Sequence, residues 1–578
     1  MNTLDSRKSY HAVAAAVVAA LAGAALQSAR AADGDWTSYN KTLTSDRYSP
    51  LDEIKPDNVS GLKEICTYDT GTETGFQTGP LMVDGVMYLT TEFDTIAVDA
   101  GDCKERWRVH EDVMPSALKV NRGLAYLDGS LFRGLQDGRV VAYSAKDGKK
   151  LWESRIADPS KGESVPAAPI AWSGLVFIGN AGGDNYGVKG RMYALDAKTG
   201  KQVWEFYLVP KEHPAQGGAS HSSAAAASAA TSAEGRASAE ARSSDAHQAS
   251  PQKATQSYEE QLAASWGNDP DVPITGGATW ASYTLDPDTG LLYVPGGNPA
   301  PDFVPALRPG SNLLTDSVVV LDARTGEYRA HYQLVPEDFH DWDVAAAPVL
   351  VKTASGKRLM AVAPKDGHLY GYDLDSGERL YQVPITTIEN AKAPLSREGT
   401  HFCPGTQGGV EWNGPAYDPD TRLIYTGAVD WCSTVMVADP DKVKSVSVGQ
   451  PWSGSASEKN MFGAFDPTDR WAGWLYASDA ETGNTAWRFK APAPLMSGVT
   501  PTAGGIVFFG DMMGTAYALD AKSGEKLWSQ DLGGAVGGGV ISYEAGGQQR
   551  VAFAAGMTSP IWPTTKTTAK VAVFGLGR

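Results

Sequence analysis

The sequence predicts an all-β chain folded as an eight-bladed β-propeller with tryptophan-docking repeats, and three observations predict it. A short motif recurs at intervals of about 40 residues, the period of a four-stranded blade. Each copy follows a run of alternating apolar residues, the signature of a buried strand. The 63 Gly and 34 Pro among 578 residues supply the turns that many short strands require.

Taken in chain order, the first copy, one of three looser ones, ends at Trp107. The next is Ala142-Tyr-Ser-Ala-Lys-Asp-Gly148 with Trp152, followed by Tyr193-Ala-Leu-Asp-Ala-Lys-Thr-Gly200 with Trp204. Two copies have lost the indole, ending at Ala330 after Gly326 and at Tyr381 after Gly377. The last two are Tyr476-Ala-Ser-Asp-Ala-Glu-Thr-Gly483 with Trp487, and Tyr517-Ala-Leu-Asp-Ala-Lys-Ser-Gly524 with Trp528. In each, the Asp-Ala-x-x-Gly stretch is a turn whose Gly takes positive φ, and the Trp is placed to wedge against a neighbouring sheet. Residues Glu411 to Val437 are expected to provide an eighth blade with a divergent turn, and strands near Val571 to Leu576 to pair with an N-terminal strand and close the ring.

Three other segments stand apart from the repeat. Arg7 and Lys8, the apolar run Ala12 to Leu26 and the site Ala29-Arg30-Ala31 read as a secretory signal over residues 1–31, which implies a periplasmic protein. The mature propeller then covers 32–578. No later stretch has the roughly 18 to 20 apolar residues of a spanning helix. Residues 210–264 are Ala/Ser-rich and almost free of large apolar side chains, and are expected to form a disordered insert containing His213, His221 and His247 as solvated side chains. A formal charge of -17 argues against a nucleic-acid partner and suits a cationic one. The four cysteines fit an oxidising compartment. Of three possible pairings, Cys66–Cys103 and Cys403–Cys432 are favoured because each pair flanks a strand–turn–strand stretch. None lies in Cys-x-x-Cys-His, the covalent haem motif, and none has zinc-ligand spacing.

Beyond the repeat, the chain resembles the alcohol dehydrogenases dependent on pyrroloquinoline quinone (PQQ), the methanol and ethanol dehydrogenase family. The likeness opens with Asp35-Trp-Thr-Ser-Tyr-Asn40 and Arg47-Tyr-Ser-Pro50 and covers nearly all of the mature chain apart from the insert. Val120-Asn-Arg-Gly-Leu-Ala-Tyr126 matches the segment whose Arg, here Arg122, binds the cofactor; a guanidinium suits a tricarboxylate. Thr279-Trp280 matches the Trp that forms the floor under the quinone. Gly296-Gly-Asn298-Pro-Ala-Pro301 matches the motif whose Asn is a calcium ligand. Asp341-Trp-Asp343 resembles the catalytic segment, in which Asp343 is the general base beside the metal, and Lys365 of Lys365-Asp-Gly367 takes the place of the cation bonding the quinone oxygens. The third calcium ligand is implied within Gly182-Gly-Asp184-Asn-Tyr-Gly187, as Asp184 or, alternatively, Asn185.

The resemblance further implies cofactor contacts at Gln77, Gly182, Gly183, Glu411, Asn413 and Trp562. Several positions depart from the family: Ser116 and Ala117 replace adjacent cysteines, Gln77 a Glu, Pro166 a Thr, Glu411 an Asn and Met496 a Trp. The acid that marks lanthanide use is replaced by Ala345, so calcium is implied. The implied reaction is oxidation of an alcohol, polyol or sugar hydroxyl, with electrons passing to a separate cytochrome c or quinone. The rival reading is a non-catalytic propeller scaffold of outer-membrane protein assembly. His340 and His368 lie near the site without an assigned role.

Overall fold

The computed structural model describes residues 34–114, 118–212, 257–353, 355–457 and 460–577. The expected signal segment, Ser116, Ala117, His213, His221 and His247 lie outside the described residues.

Within them the chain is all-β and contains eight four-stranded antiparallel sheets. In chain order they span 81–110, 125–155, 170–207, 284–333, 349–384, 416–491 and 500–531; the eighth joins 540–576 to the N-terminal strand Leu62–Asp69. The inner strands are buried on both faces, as in Thr515–Asp520, whereas the fourth strand alternates exposed and half-buried residues, as in Glu105–His110. That is the pattern of sheets stacked face to face with one edge left in water.

What joins one sheet to the next is the repeat itself. The indole N–H of Trp107 donates to the Ala145 carbonyl at 3.2 Å, Trp152 to Ala197 at 2.9 Å, Trp204 to Ala323 at 3.0 Å and Trp487 to Ala521 at 3.1 Å. In the copy with Tyr381, the phenol donates to Ala480 at 3.2 Å. Each acceptor is the Ala of the following sheet's turn, and the turn Gly lies under the ring. A Cβ on Gly200 would meet Trp152 at 2.5 Å, and one on Gly524 would meet Trp487 at 2.5 Å. These glycines also hold φ values of 70° and 73°, so two independent constraints select Gly. Where the ring is missing, at Ala330, a Cβ on the corresponding Gly377 would meet nothing within 4 Å.

Three expectations are corrected. The stretch from Glu411 to Val437 is not a separate unit: Leu423–Asp430 pairs along its length with Ala472–Asp479, so it shares a sheet with the Trp487 repeat. The segment between them, which carries Ser433–Val435 and Ala464–Phe465, interrupts that sheet and disguises the partnership. The remaining sheet is built from the C-terminal strands, with Lys570–Leu576 pairing with Leu62–Asp69. Second, both expected disulfides form, but Cys66 lies on that eighth sheet and Cys103 in a turn of the first. The bond therefore links two sheets instead of bracing one hairpin. The Tyr543 hydroxyl, donating to the Ala100 carbonyl at 3.0 Å, joins the same two sheets. Third, the end of the expected insert is ordered, with Tyr258–Ala264 forming a helix capped by Ser257 and Glu260. Tyr258 stacks on Tyr328 at 4.1 Å and Leu262 is buried, which supplies the anchoring that the Ala/Ser composition lacks.

Smaller sheets stand apart from the eight and position the site. Gly75–Gly79 pairs in parallel with Val120–Gly123, and Thr275–Gly276 pairs with Pro299–Ala300. A three-stranded sheet joins Thr400–Phe402, Ser433–Val435 and Ala464–Phe465. Packed below them is a cluster that includes Trp36, Phe76, Met496, Met557, Trp412, Trp431 and Trp562.

Candidate active site

Segments more than four hundred residues apart in sequence converge on one cavity of about 380 Å³, within the range of small-molecule sites. Its lining includes Gln77, Arg122, Gly182, Gly183, Asp184, Asn185, Trp280, Asn298, Asp343, Lys365, Glu411 and Trp562.

Asp343 stands at the centre of the polar half. Its Oδ1 accepts the Asn298 backbone N–H at 2.9 Å and the Trp280 indole N–H at 3.4 Å, while its Oδ2 lies 2.9 Å from the Lys365 ammonium. Gly297 permits this approach, because a Cβ there would meet Asp343 Oδ1 at 2.7 Å and the Ala278 carbonyl at 2.8 Å. Lys365 also pairs with Asp341 Oδ2 at 3.2 Å. Burial alone would pull this ammonium down, but the Asp341 and Asp343 carboxylates hold it well above the usual amine range, so it stays charged.

The apolar half is indole. The Arg122 guanidinium lies 4.6 Å from the Trp280 ring and 5.5 Å from that of Trp412, and donates to the Trp280 carbonyl at 2.9 Å. Burial lowers it to about 10, still far above neutral. Its Nε has no hydrogen-bond partner, nor has Gln77 Oε1 or Glu411 Oε1. Such atoms are costly unless something is bound against them. A flat, multiply anionic molecule with carbonyl groups fits this lining: indole faces for its rings, and Arg122 and Lys365 for its charge. Burial first, then Asp343, raises Glu411 to about 7 against the pull of Lys365 and Arg122.

The metal-ligand candidates also converge. Oxygens of Asp184, Asp302 and Asp341 lie within 4.8 Å of one another. Asn298 donates from Nδ2 to Asp302 Oδ1 at 3.0 Å. Burial and the Asp343 charge raise Asp184 to about 6, the behaviour of a carboxylate awaiting a counter-charge. A hard oxygen-seeking cation suits this donor set. Asn185, the alternative to Asp184, turns its amide to the Gly162 carbonyl at 2.8 Å.

One expected cofactor contact is not placed at the cavity. Asn413 is absent from the lining; its Oδ1 accepts from the Tyr39 hydroxyl at 3.0 Å and from Arg47 at 2.8 Å, and its Nδ2 donates to the Met496 carbonyl. Its amide is consumed in bracing a buried arginine. Conversely, Trp412, Asp302 and Asp341 belong to the site region without having been singled out for roles. Asp302 directly follows the Asn298 turn motif and Asp341 precedes Trp342-Asp343, and that adjacency was the available signal. His340 stacks on Trp342 at 4.0 Å behind the site, and His368 bonds Asp366 at 3.0 Å.

Comparison with known proteins follows this geometry. Residues 36–238 and 252–394 match the model of the glucose/ethanol/alcohol dehydrogenase β-propeller domain, and residues 472–572 that of the outer membrane protein assembly factor BamB. The chain is 29% identical to the quinohemoprotein alcohol dehydrogenase ADH-IIG of Pseudomonas putida, over 94% of this chain and 75% of that protein. It is 28% identical to the lanthanide-dependent methanol dehydrogenase of Methylacidiphilum fumariolicum, over 88% and 82%. Among solved structures, the quinohemoprotein alcohol dehydrogenase of Comamonas testosteroni superposes with a TM-score of 0.78 at 26% identity, covering 97% of this chain and 84% of that one. The architecture is a β-propeller. Among the described residues no helix is long and apolar enough to cross a membrane.

Proposed function

This chain belongs to the family of PQQ-dependent alcohol dehydrogenases, and from that premise we propose that it is a periplasmic, eight-bladed member whose axial cavity holds PQQ beside a bound calcium ion. Each four-stranded sheet is one blade, and the Cys66–Cys103 bond clasps the last blade to the first. Residues 1–31 direct export, and a cytochrome c carries electrons away.

The single observation that carries the site assignment is the convergence of Asn298, Lys365 and Trp280 within hydrogen-bonding reach of Asp343. Asp343 is the general base. Its Oδ1 is fixed by two N–H donors, and Oδ2, held by Lys365, takes the proton of the substrate hydroxyl, a transfer that needs about 3 Å between heavy atoms. When bound, PQQ supplies the hydride acceptor and the cation the Lewis acidity that polarises it. Lys365 provides a fixed positive charge where negative charge develops. Arg122 directs its free Nε–H to a carboxylate, and Trp280 offers its face to the ring system. Asp184, Asn298 and Asp343 hold the cation. Trp562 and Glu411, both on the cavity lining, make further contacts with the cofactor.

The test is to reconstitute the purified protein with PQQ and calcium and follow dye reduction over a panel of alcohols, polyols and sugars. Turnover that requires both additions supports the reading and names the substrate class. Cation binding with no quinone-dependent reduction on any substrate favours the scaffold of outer-membrane assembly instead.

A further inference from the structure

The axial pit holds more carboxylates than its proposed chemistry requires. Asp302 and Asp341 are 0% and 1% exposed, and their oxygens cluster with those of Asp184. Asp343 joins them through the ammonium of Lys365, which it shares with Asp341. Four acids therefore face a single lysine. The nearby guanidinium of Arg308 eases Asp302 by its charge, but its hydrogen bonds go to the carbonyls of Pro301, Asp302 and Asp338 and to the Asn312 amide oxygen, not to the four carboxylates.

A second observation points to a missing partner. Asp302 Oδ1 accepts from Asn298, but Oδ2 has no hydrogen-bond partner although the residue is fully buried. An unpaired carboxylate oxygen in such a place is costly unless a cation meets it. Asp341 comes from the segment of Asp343 itself, and Asp302 from the turn that carries Asn298.

We propose that Asp302 and Asp341 are themselves cation ligands, so that the pit encloses its ion in four carboxylates and the Asn298 amide. Ligand charge sets cation affinity in oxygen sites, so the two additional acids tighten the hold on the ion. The inference rests on the proposed cation site beside Asp343 and extends its ligand set.

The experiment strips the full-length protein with a chelator and titrates terbium, reading emission sensitised by Trp280, whose indole N–H lies 3.4 Å from Asp343. Calcium is then added as competitor. The expected result is one terbium per chain, displaced by added calcium. Asp302→Asn and Asp341→Asn, which keep size and hydrogen-bond acceptors, should each weaken terbium by about tenfold or more. Thermal unfolding of the stripped variants separates ligation from misfolding: the midpoint of Asp302→Asn should match or exceed the parent's, because a buried charge has been removed. Terbium affinity within about twofold of the parent in both variants, with loss in Asp184→Asn, overturns this proposal and leaves the site reading intact. If Asp184→Asn and Asp343→Asn likewise bind as the parent does, the cation site itself is wrong.

Discussion

The outer turns and the axial pit of this molecule are built on opposite terms. At the turns docked by Trp107, Trp152, Trp204 and Trp487, each feature of the repeat is satisfied: the indole N–H finds a carbonyl, the glycine takes a left-handed φ, and the ring fills the space a Cβ would need. In the pit, Arg122 Nε, Gln77 Oε1, Glu411 Oε1 and Asp302 Oδ2 lack partners, and Asp341 holds a φ of 66°. The difference teaches where to look for function in a repeat protein. Polar groups left unsatisfied by the fold mark the place where a ligand completes it. Substitutions at the turns should therefore cost stability and spare chemistry, and those in the pit should do the reverse.

The largest effect expected is at Asp343. Asp343→Asn keeps the acceptor for Asn298 and removes the base, so kcat in the reconstituted dye assay should fall by about a thousandfold without a lowered thermal midpoint. A loss of stability in place of activity would break the comparison. Next is the bond between the first and last sheets: replacing Cys66 and Cys103 together by serine should cost about 3 kcal/mol in denaturant unfolding and leave kcat unchanged.

A pair of glycines sharpens the contrast within the turns. Gly200→Ala should destabilise by about 3 kcal/mol, from left-handed backbone plus overpacking against Trp152. Gly377→Ala, with nearly the same φ but no ring above it, should cost about 1 kcal/mol. Equal losses would show that the docking contact contributes nothing.

The smallest effect is a pH dependence at Glu411. Its folded value of about 7 lies above the ordinary 4.5, so the fold favours the protonated acid. That contribution is present below the unfolded value and is lost as pH rises through about 7. The ligand-free protein should lose stability across that window, and Glu411→Gln should flatten the slope. An unchanged slope would place the titration elsewhere.

The same contrast explains what the sequence made legible. The repeat could be read because local geometry demands Gly and Trp at a fixed offset, and the structure docks the indoles of Trp107, Trp152, Trp204 and Trp487 on such turns. The unit around Leu423–Asp430 could not be assigned correctly, since its partner strand lies beyond an intervening segment and pairing leaves no local mark. Cys66 and Cys103 were paired correctly for the wrong reason: the bond depends on the meeting of the chain's two ends. Asp302 was passed over because an acid after a Pro-rich turn resembles any turn former until folding brings it to Asp184. Asn413 was assigned to the cofactor by proximity to Glu411, yet the chain bends at 412–413 instead of running on as a strand, and its side chain turns to Tyr39 and Arg47.

The most direct test is a crystal structure of the protein reconstituted with PQQ and a cation. The account predicts a planar tricycle lying on the Trp280 ring, a carboxylate at Arg122, and the cation bounded by Asp184, Asn298 and Asp343. A quinone bound elsewhere, or a cation held away from Asp343 with the Lys365 pair filling the pit unchanged, would contradict it.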